Sequence, residues 1–161
     1  VRKILKNGLK KVLPSFSAYK RDFVLPYDKN YVPATAITPE FTKLKNWRLK
    51  HEGTEGVKME CIVWKIASNC ILMALPGEIC HQIGKRSKKL SSVKYPFFLG
   101  YTNGCPAYIP TDEIIEQGGY EGKDSMLGYG QPWPFKIGSE KIIYDNLKFC
   151  LSQLNNSNHR M

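Results

Sequence analysis

The segment VKMECIVWKIASNCILMALPGE, residues 57–78, decides the fold. From Val57 to Val63, apolar side chains alternate with polar or partner-facing ones, a period of two that is typical of a half-buried strand. After a turn at residues 67–69, the continuously apolar run Cys70–Leu75 predicts a strand that is buried on both faces. We therefore predict a hairpin, which the dipeptide Pro76-Gly77 ends.

Downstream of this hairpin, the chain predicts three helices and one more strand. The residues Glu78–Lys89 can form a helix, and a strand is predicted over Tyr95–Gly100. A short helix begins after its cap, Thr111, and ends at Gly118-Gly119, where glycine permits the chain to turn. Apolar residues at helical spacing predict a last amphipathic helix that begins at Ser139, a plausible cap.

Upstream of the hairpin, the sequence predicts less regular structure. Residues 1–13 carry apolar side chains at helical spacing opposite lysines, which predicts an amphipathic helix that Pro14 ends. Four prolines between Pro14 and Pro39 favour an extended, irregular segment. We thus divide the chain into an N-terminal helix and proline-rich segment (1–56), a central segment (57–155) and a polar tail (156–161). The fold class is α+β, with a small mixed sheet packed against helices.

The amino-acid composition limits the classes of protein to which the chain can belong. The 161 residues are 42% apolar and 24% charged, which is ordinary for one globular domain, and no run reaches the ~20 apolar residues of a membrane-spanning helix. Five cysteines without a CxxC pair make a disulfide framework or a zinc knuckle unexpected, and three histidines are few for a self-contained metal site. A net charge of +10 leaves open a non-catalytic module whose basic faces contact anionic lipid or nucleic acid.

Three short segments could carry chemistry. Glu78 follows a buried strand directly, where a carboxylate can face a ligand or can simply stabilise the start of a helix. Tyr108 follows a tight turn, and Tyr120 lies among glycines; each could contact a ligand or could anchor a loop by hydrogen bonding a carbonyl. His81 could form an E-x-x-H metal pair with Glu78, or it could be a half-buried surface histidine. The segment 128–134 could be an ordered loop over a pocket or a surface turn.

Taken together, these segments resemble the C-terminal part of the catalytic domain of the neutral/alkaline ceramidases, zinc-dependent amidases that cleave the N-acyl bond of ceramide. The matching text is ALPGEI at 74–79, TNGCPAYIPTDE at 102–113 and GGYEG at 118–122. Their order and the interval of twelve residues between Tyr108 and Tyr120 agree with the family. The resemblance extends over roughly Val57 to Leu154.

By position, the resemblance implies that Glu78 and Tyr108 are Zn²⁺ ligands and that Tyr120 hydrogen bonds the developing oxyanion. The family's remaining zinc ligands are histidines from an N-terminal half with an H-x-H segment, which this sequence lacks. Because it also starts at Val1 without a methionine, we expect a fragment, or a piece that pairs with a separate N-terminal part, that is inactive alone. Cys105 stands where relatives often carry an aromatic residue, so the pocket wall is expected to differ.

The resemblance also implies a class of substrate, possible partners and a cellular location. The substrate would be a lipid amide such as ceramide, or another amide if the loops shape a different pocket. An anionic membrane surface is a possible further partner, and nucleic acid is not expected. A secreted, periplasmic or membrane-associated location would follow from the family alone.

Overall fold

The computed structural model describes Lys6, residues 12–32 and residues 39–156, without the side chains of 39–42, 155 and 156. The helix predicted over residues 1–13 lies largely outside the described residues, as does the polar tail. No helix in the described ranges is long and apolar enough to cross a membrane. The described strands are, in chain order, β1 (Pro14–Pro26), β2 (Gly56–Ala67), β3 (Cys70–Ala74), β4 (Glu78–Ile79), β5 (Tyr95–Leu99) and β6 (Tyr108–Ile109). The helices are α1 (Pro39–Lys50), α2 (His81–Lys88), α3 (Asp112–Gln117), α4 (Ser125–Gly128) and α5 (Ser139–Asn156), and a π-helical turn spans Tyr120–Asp124.

The main sheet has the order β1-β2-β3-β5, with antiparallel pairs β1–β2 and β2–β3 and a parallel pair β3–β5. The predicted hairpin is confirmed: Val63 pairs with Met73, and the inward side chains of both strands are buried. The predicted strand at Tyr95 is confirmed as β5. The strands β4 and β6 form a separate two-stranded parallel ladder. The predicted fold class, a small mixed sheet packed against helices in an α+β arrangement, is therefore confirmed.

The prediction of an irregular segment from Pro14 to Pro39 is wrong for its first half. Residues Pro14–Pro26 form one strand of 13 residues that pairs with β2. The two prolines of this strand stand at its ends, and β1 is an edge strand, where proline is tolerated. Between them, Phe23 is partly buried and Leu25 is fully buried in the core. The helix α1 was not predicted from the sequence.

The helix predicted from Glu78 begins at His81 instead. The backbone N–H of Glu78 donates to the carbonyl of Ala107 at 2.9 Å, and that of Cys80 donates to Ile109 at 3.0 Å. These bonds join two segments that are distant in the chain, so Glu78 belongs to a β ladder. The interpretation of Glu78 as a dipole partner in the first turn of a helix is therefore wrong.

Both predicted downstream helices are confirmed. The hydroxyl of Thr111 accepts a hydrogen bond from the N–H of Ile114 at 3.3 Å and so caps α3. The last helix, α5, packs its buried face against β1 and β2 through Ile143, Leu147, Cys150 and Leu154.

The cap predicted at the start of α5 is wrong. The hydroxyl of Ser139 donates to the carbonyl of Lys136 at 2.7 Å, and it does not cap the helix. The carboxylate of Asp112 accepts instead from the N–H groups of Gly138 (3.0 Å) and Glu140 (3.3 Å). Asp112 therefore ties the start of α3 to the start of α5, a contact between distant parts of the chain.

The carboxylate of Glu140 is a buried polar junction between α2, α3 and α5. It accepts hydrogen bonds from Arg86 Nη1 (2.5 Å), the Tyr144 hydroxyl (2.5 Å) and the Asp112 N–H (3.2 Å). Burial opposes ionisation, but the hydrogen bonds from Tyr144, Arg86 and Asp112 outweigh it and lower the pKa of Glu140 below its ordinary 4.5.

We expect Glu140→Ala to lower the free energy of unfolding by about 1–3 kcal/mol, because it leaves three donors without their acceptor. A lowered folded pKa means that the stabilisation from Glu140 is present above pH 4.5 and is lost as pH falls through the folded value. Urea unfolding at pH 7 and at pH 3.5 measures both effects. Glu116→Ala, an exposed carboxylate on α3, is the control and should stay within about 0.5 kcal/mol. Equal stability of Glu140→Ala and the parent at pH 7 would contradict the expectation.

Candidate functional site

The β4–β6 ladder brings two of the three predicted site residues together. Glu78 on β4 is the register partner of Tyr108 on β6. Register partners on neighbouring parallel strands lie about 4.8 Å apart and project their side chains to the same face. Two residues that are 30 positions apart in sequence are therefore neighbours in the ladder, with their side chains on the same face.

The backbone around Gly77 makes this pairing possible. Gly77 has a φ of +95°, and a Cβ there would lie 2.9 Å from the carbonyl oxygen of Ala107. A side chain at this position would thus both strain the backbone and push β6 away. The N–H of Gly77 donates to Gly104 (3.0 Å), and its carbonyl accepts from Tyr101 (2.9 Å), which fixes the following turn against β4.

Two tyrosines that the sequence did not single out contact the Glu78 carboxylate. The Tyr129 hydroxyl donates to Glu78 Oε2 at 2.6 Å, and this bond raises the pKa of Tyr129 well above its usual range. The pKa of Tyr101 is also raised, by burial and by the nearby Glu78 carboxylate. Tyr129 lies in the segment 128–134, so this segment contributes to the site. A tyrosine between Gly128 and Gly130 was the available signal.

The phenol of Tyr108 lies between two further acidic groups. Burial raises its pKa above the usual range, and the neighbouring Cys80 thiol and Glu121 carboxylate raise it further through charge and hydrogen bonding. Glu121 directly follows Tyr120 in the chain. The start of the π-helical turn therefore places an acidic side chain near Tyr108.

The third predicted residue, Tyr120, begins the π-helical turn directly before Glu121, and its side chain is 72% exposed. Gly118 and Gly119 precede it with φ of +75° and +70°, so the chain turns sharply here. The side chain of Tyr120 is thus open to solvent, beside the residue whose carboxylate contacts Tyr108.

Gly122 holds this turn against α3. A Cβ at Gly122 would lie 2.3 Å from the carbonyl oxygen of Ile114, which is backbone and cannot move aside. We expect Gly122→Ala to cost about 1–3 kcal/mol of stability and to displace the turn that carries Tyr120. Thermal unfolding and the amide chemical shifts of residues 118–124 measure this. Gly128→Ala, where no heavy atom lies within 4 Å, should change neither by much. If both variants behave alike, the close packing described for Gly122 is wrong.

The donor set fits part of a zinc shell. Glu78 and Tyr108 offer two oxygen ligands, one fewer than the three protein ligands usual for catalytic zinc. Within the described ranges, no three His, Cys, Asp or Glu side chains group together as a metal site. The sequence predicted that Glu78 and His81, the pair E-x-x-H, share one helix. They do not, because Glu78 belongs to β4 and His81 to α2. A zinc ion held by Glu78 and Tyr108 would need at least one further protein ligand.

A groove of about 460 Å³ lies between α2 and the end of β5. Ile79 and Phe98 form apolar parts of its lining, and Cys80 and Tyr101 connect it to the Glu78–Tyr108 side. Its other lining residues include the basic or titratable side chains His81, Lys85 and Lys88. The groove therefore combines two apolar side chains with basic and phenolic ones.

These features define an α+β fold in which a two-stranded ladder presents a carboxylate and a phenol beside a groove. Two solved ceramidase structures share this fold. The neutral ceramidase from Pseudomonas aeruginosa superposes with a TM-score of 0.61 at 13% identity, over 97% of this chain and 31% of that chain. A ceramidase complexed with C2 gives 0.62 at 13% identity, over 97% and 32%. The chain thus spans about a third of the length of the structures it matches. No protein-family model and no curated protein sequence matches it.

Proposed function

We propose that the chain is the C-terminal part of a zinc-dependent amide hydrolase resembling neutral ceramidase. The observation that carries this proposal is the register pairing of Glu78 with Tyr108 within a fold that two ceramidase structures share. The sequence resemblance independently selected the same two residues as metal ligands. Their adjacency does not follow from sequence spacing, so it supports the proposal.

In this proposal, Glu78 and Tyr108 are two of the metal ligands, and histidines outside this chain complete the shell. Bound zinc would act as a Lewis acid that lowers the pKa of a water and so supplies hydroxide near neutral pH. The hydrogen bond from Tyr129 fixes the orientation of the Glu78 carboxylate, as outer hydrogen-bond partners do for metal ligands.

Tyr120 is the proposed oxyanion donor. Attack of hydroxide on an amide carbon places negative charge on the former carbonyl oxygen, and a phenol O–H can donate a hydrogen bond to that oxygen. The side chain of Tyr120 is exposed and therefore available for such a contact. Breaking the C–N bond, with a proton of the attacking water passed to the departing nitrogen, would release a carboxylate and an amine.

The proposed substrate is a lipid amide such as ceramide. In the groove that Cys80 and Tyr101 line, the apolar side chains of Ile79 and Phe98 suit contact with an acyl chain or a sphingoid chain. Another amide remains the alternative, because loops set pocket shape.

An exposed apolar stripe supports association with the missing part of the site. On β5, Tyr95 (40% exposed), Phe97 (49%) and Leu99 (41%) all project from the same face. Among the described strands, β5 pairs only with β3. The faces of parallel strands are normally covered by other elements, whereas these three side chains leave one face of β5 exposed. We therefore propose that the histidine-bearing N-terminal part, or a partner chain, packs over this stripe.

A second candidate function is a non-catalytic module that binds anionic lipid. The basic rim of the groove, with His81, Lys85 and Lys88, favours it. Binding to phosphatidylserine vesicles that falls steeply between 50 and 200 mM salt, with no hydrolysis by the zinc-loaded natural protein, would support this second function over the first.

The test of the proposed function is to purify the longer natural protein of which, on this proposal, the 161-residue chain is a part. Any partner that copurifies is kept with it. We expect about one zinc per protein and release of fatty acid from N-acylsphingosine. The isolated 161-residue chain should show neither tight zinc nor turnover, since it supplies two ligands. A zinc-loaded natural protein that hydrolyses no N-acyl amide would refute the proposal.

A further inference from the structure

Two cysteines that are far apart in the chain meet in the core. Cys61 on β2 and Cys150 on α5 have their Sγ atoms 3.2 Å apart, although 89 positions separate them. Both side chains are fully buried. The other three cysteines do not take part in the contact between Cys61 and Cys150. Cys70 is partly buried, Cys80 is buried near Tyr108 and Cys105 is exposed.

The sequence did not predict this pair, because the number of cysteines is odd and their spacing carries no motif. The packing of α5 on the sheet produces it. Leu147, Cys150 and Leu154 form one buried face of the helix, and Cys61 is an inward residue of the strand beneath. Both Cβ–Sγ bonds therefore project into the same interface between helix and sheet.

We propose that Cys61 and Cys150 form a disulfide when the protein folds in an oxidising compartment, which links α5 covalently to β2. This inference is independent of the proposed function. The oxidant is a small-molecule or protein disulfide of the glutathione class. Each protein thiol gives up its hydrogen, the S–S bond forms between Cys61 and Cys150, and the oxidant is reduced to two thiols through a mixed disulfide.

The geometry requires little movement. A disulfide has an S–S bond of about 2.05 Å, so the two sulfurs, which lie 3.2 Å apart, must approach by roughly 1 Å. In the reduced pair, a hydrogen bond that the Cys61 thiol donates lowers the pKa of Cys150. The positive charge of the nearby Arg21 guanidinium lowers it further. The same hydrogen bond, together with burial, raises the pKa of Cys61.

Burial also sets when the bond forms. With both sulfurs inaccessible in the folded chain, an oxidant reaches them before α5 has docked, and the finished bond is shielded from reductants. The link closes a long loop of the chain, the case in which a disulfide restricts the unfolded state most. We expect the oxidised chain to melt about 5–15 °C above the reduced chain.

The experiment uses the Cys105→Ser chain, which lacks the exposed thiol and so avoids links between molecules. It is denatured, reduced and refolded in a glutathione redox buffer. We expect two free thiols after denaturation, against four in a sample kept in dithiothreitol, and a peptide that joins residues 61 and 150 in the mass spectrum. Four free thiols after oxidative refolding, or a link to Cys70 or Cys80 instead, would overturn the proposal.

Matched variants separate the bond from general effects of oxidation. Adding Cys150→Ala to the Cys105→Ser chain should abolish the difference in melting temperature between oxidised and reduced samples. Adding Cys70→Ser should preserve that difference. If the Cys150→Ala variant does not fold, Cys61→Val provides the same comparison, and the thiol count of the Cys105→Ser chain decides the question in any case.

Discussion

Replacing Glu78 with glutamine is expected to remove zinc from the natural protein and to abolish amide hydrolysis. Glutamine keeps the size of the side chain and an oxygen that can still accept from Tyr129, so the β4–β6 ladder should persist. The change removes the negative charge that attracts a divalent metal. We expect a loss in zinc affinity greater than the ~10–100-fold that follows the loss of a residue that only supports a ligand.

The measurement is the zinc content after dialysis together with the rate of fatty acid release. Glu116→Gln is the matched control, because Glu116 is exposed on α3 and should retain both zinc and activity. A Glu78→Gln protein that keeps one zinc and normal turnover would exclude Glu78 as a ligand.

Replacing Tyr120 with phenylalanine is expected to lower kcat by about 10²–10³, the usual cost of losing one oxyanion donor. Zinc content and KM should stay nearly unchanged, because Tyr120 is proposed to act on the charge that develops in the transition state. The exposure of the side chain predicts that the stability of the protein is unaffected.

Steady-state kinetics of the natural protein and its Tyr120→Phe variant provide the test. Tyr19→Phe removes a hydroxyl from β1, on the main sheet, and serves as the control. Loss of zinc in the Tyr120→Phe variant, or an unchanged kcat, would assign Tyr120 a different role.

Sequence reasoning succeeded where the signal is local. The alternation in β2, the apolar run of β3 and the Thr111 cap each depend on a few consecutive residues, and each is confirmed. The four prolines between Pro14 and Pro39 misled the prediction of β1. What mattered was their position, with two at the ends of an edge strand.

The candidate site could be predicted only in part, because its contacts are not local. β4 has two residues and exists because a segment 30 positions later supplies its partner, so no local pattern could separate it from the start of α2. The resemblance selected Glu78 and Tyr108, but it gave no contacts. The hydrogen bond from Tyr129 to Glu78 joins residues 51 positions apart and became visible only with the fold.

The central claim is that Glu78, Tyr108 and Tyr120 border one metal-facing volume, and paramagnetic NMR of the 161-residue chain tests it most directly. Co²⁺, a stand-in for zinc, is titrated into the labelled protein, where weak binding is sufficient. We expect the amide signals near residues 78, 108 and 120 to broaden together and Glu78→Gln to abolish the effect. Broadening centred on His51 or elsewhere, with those three regions unaffected, would contradict it.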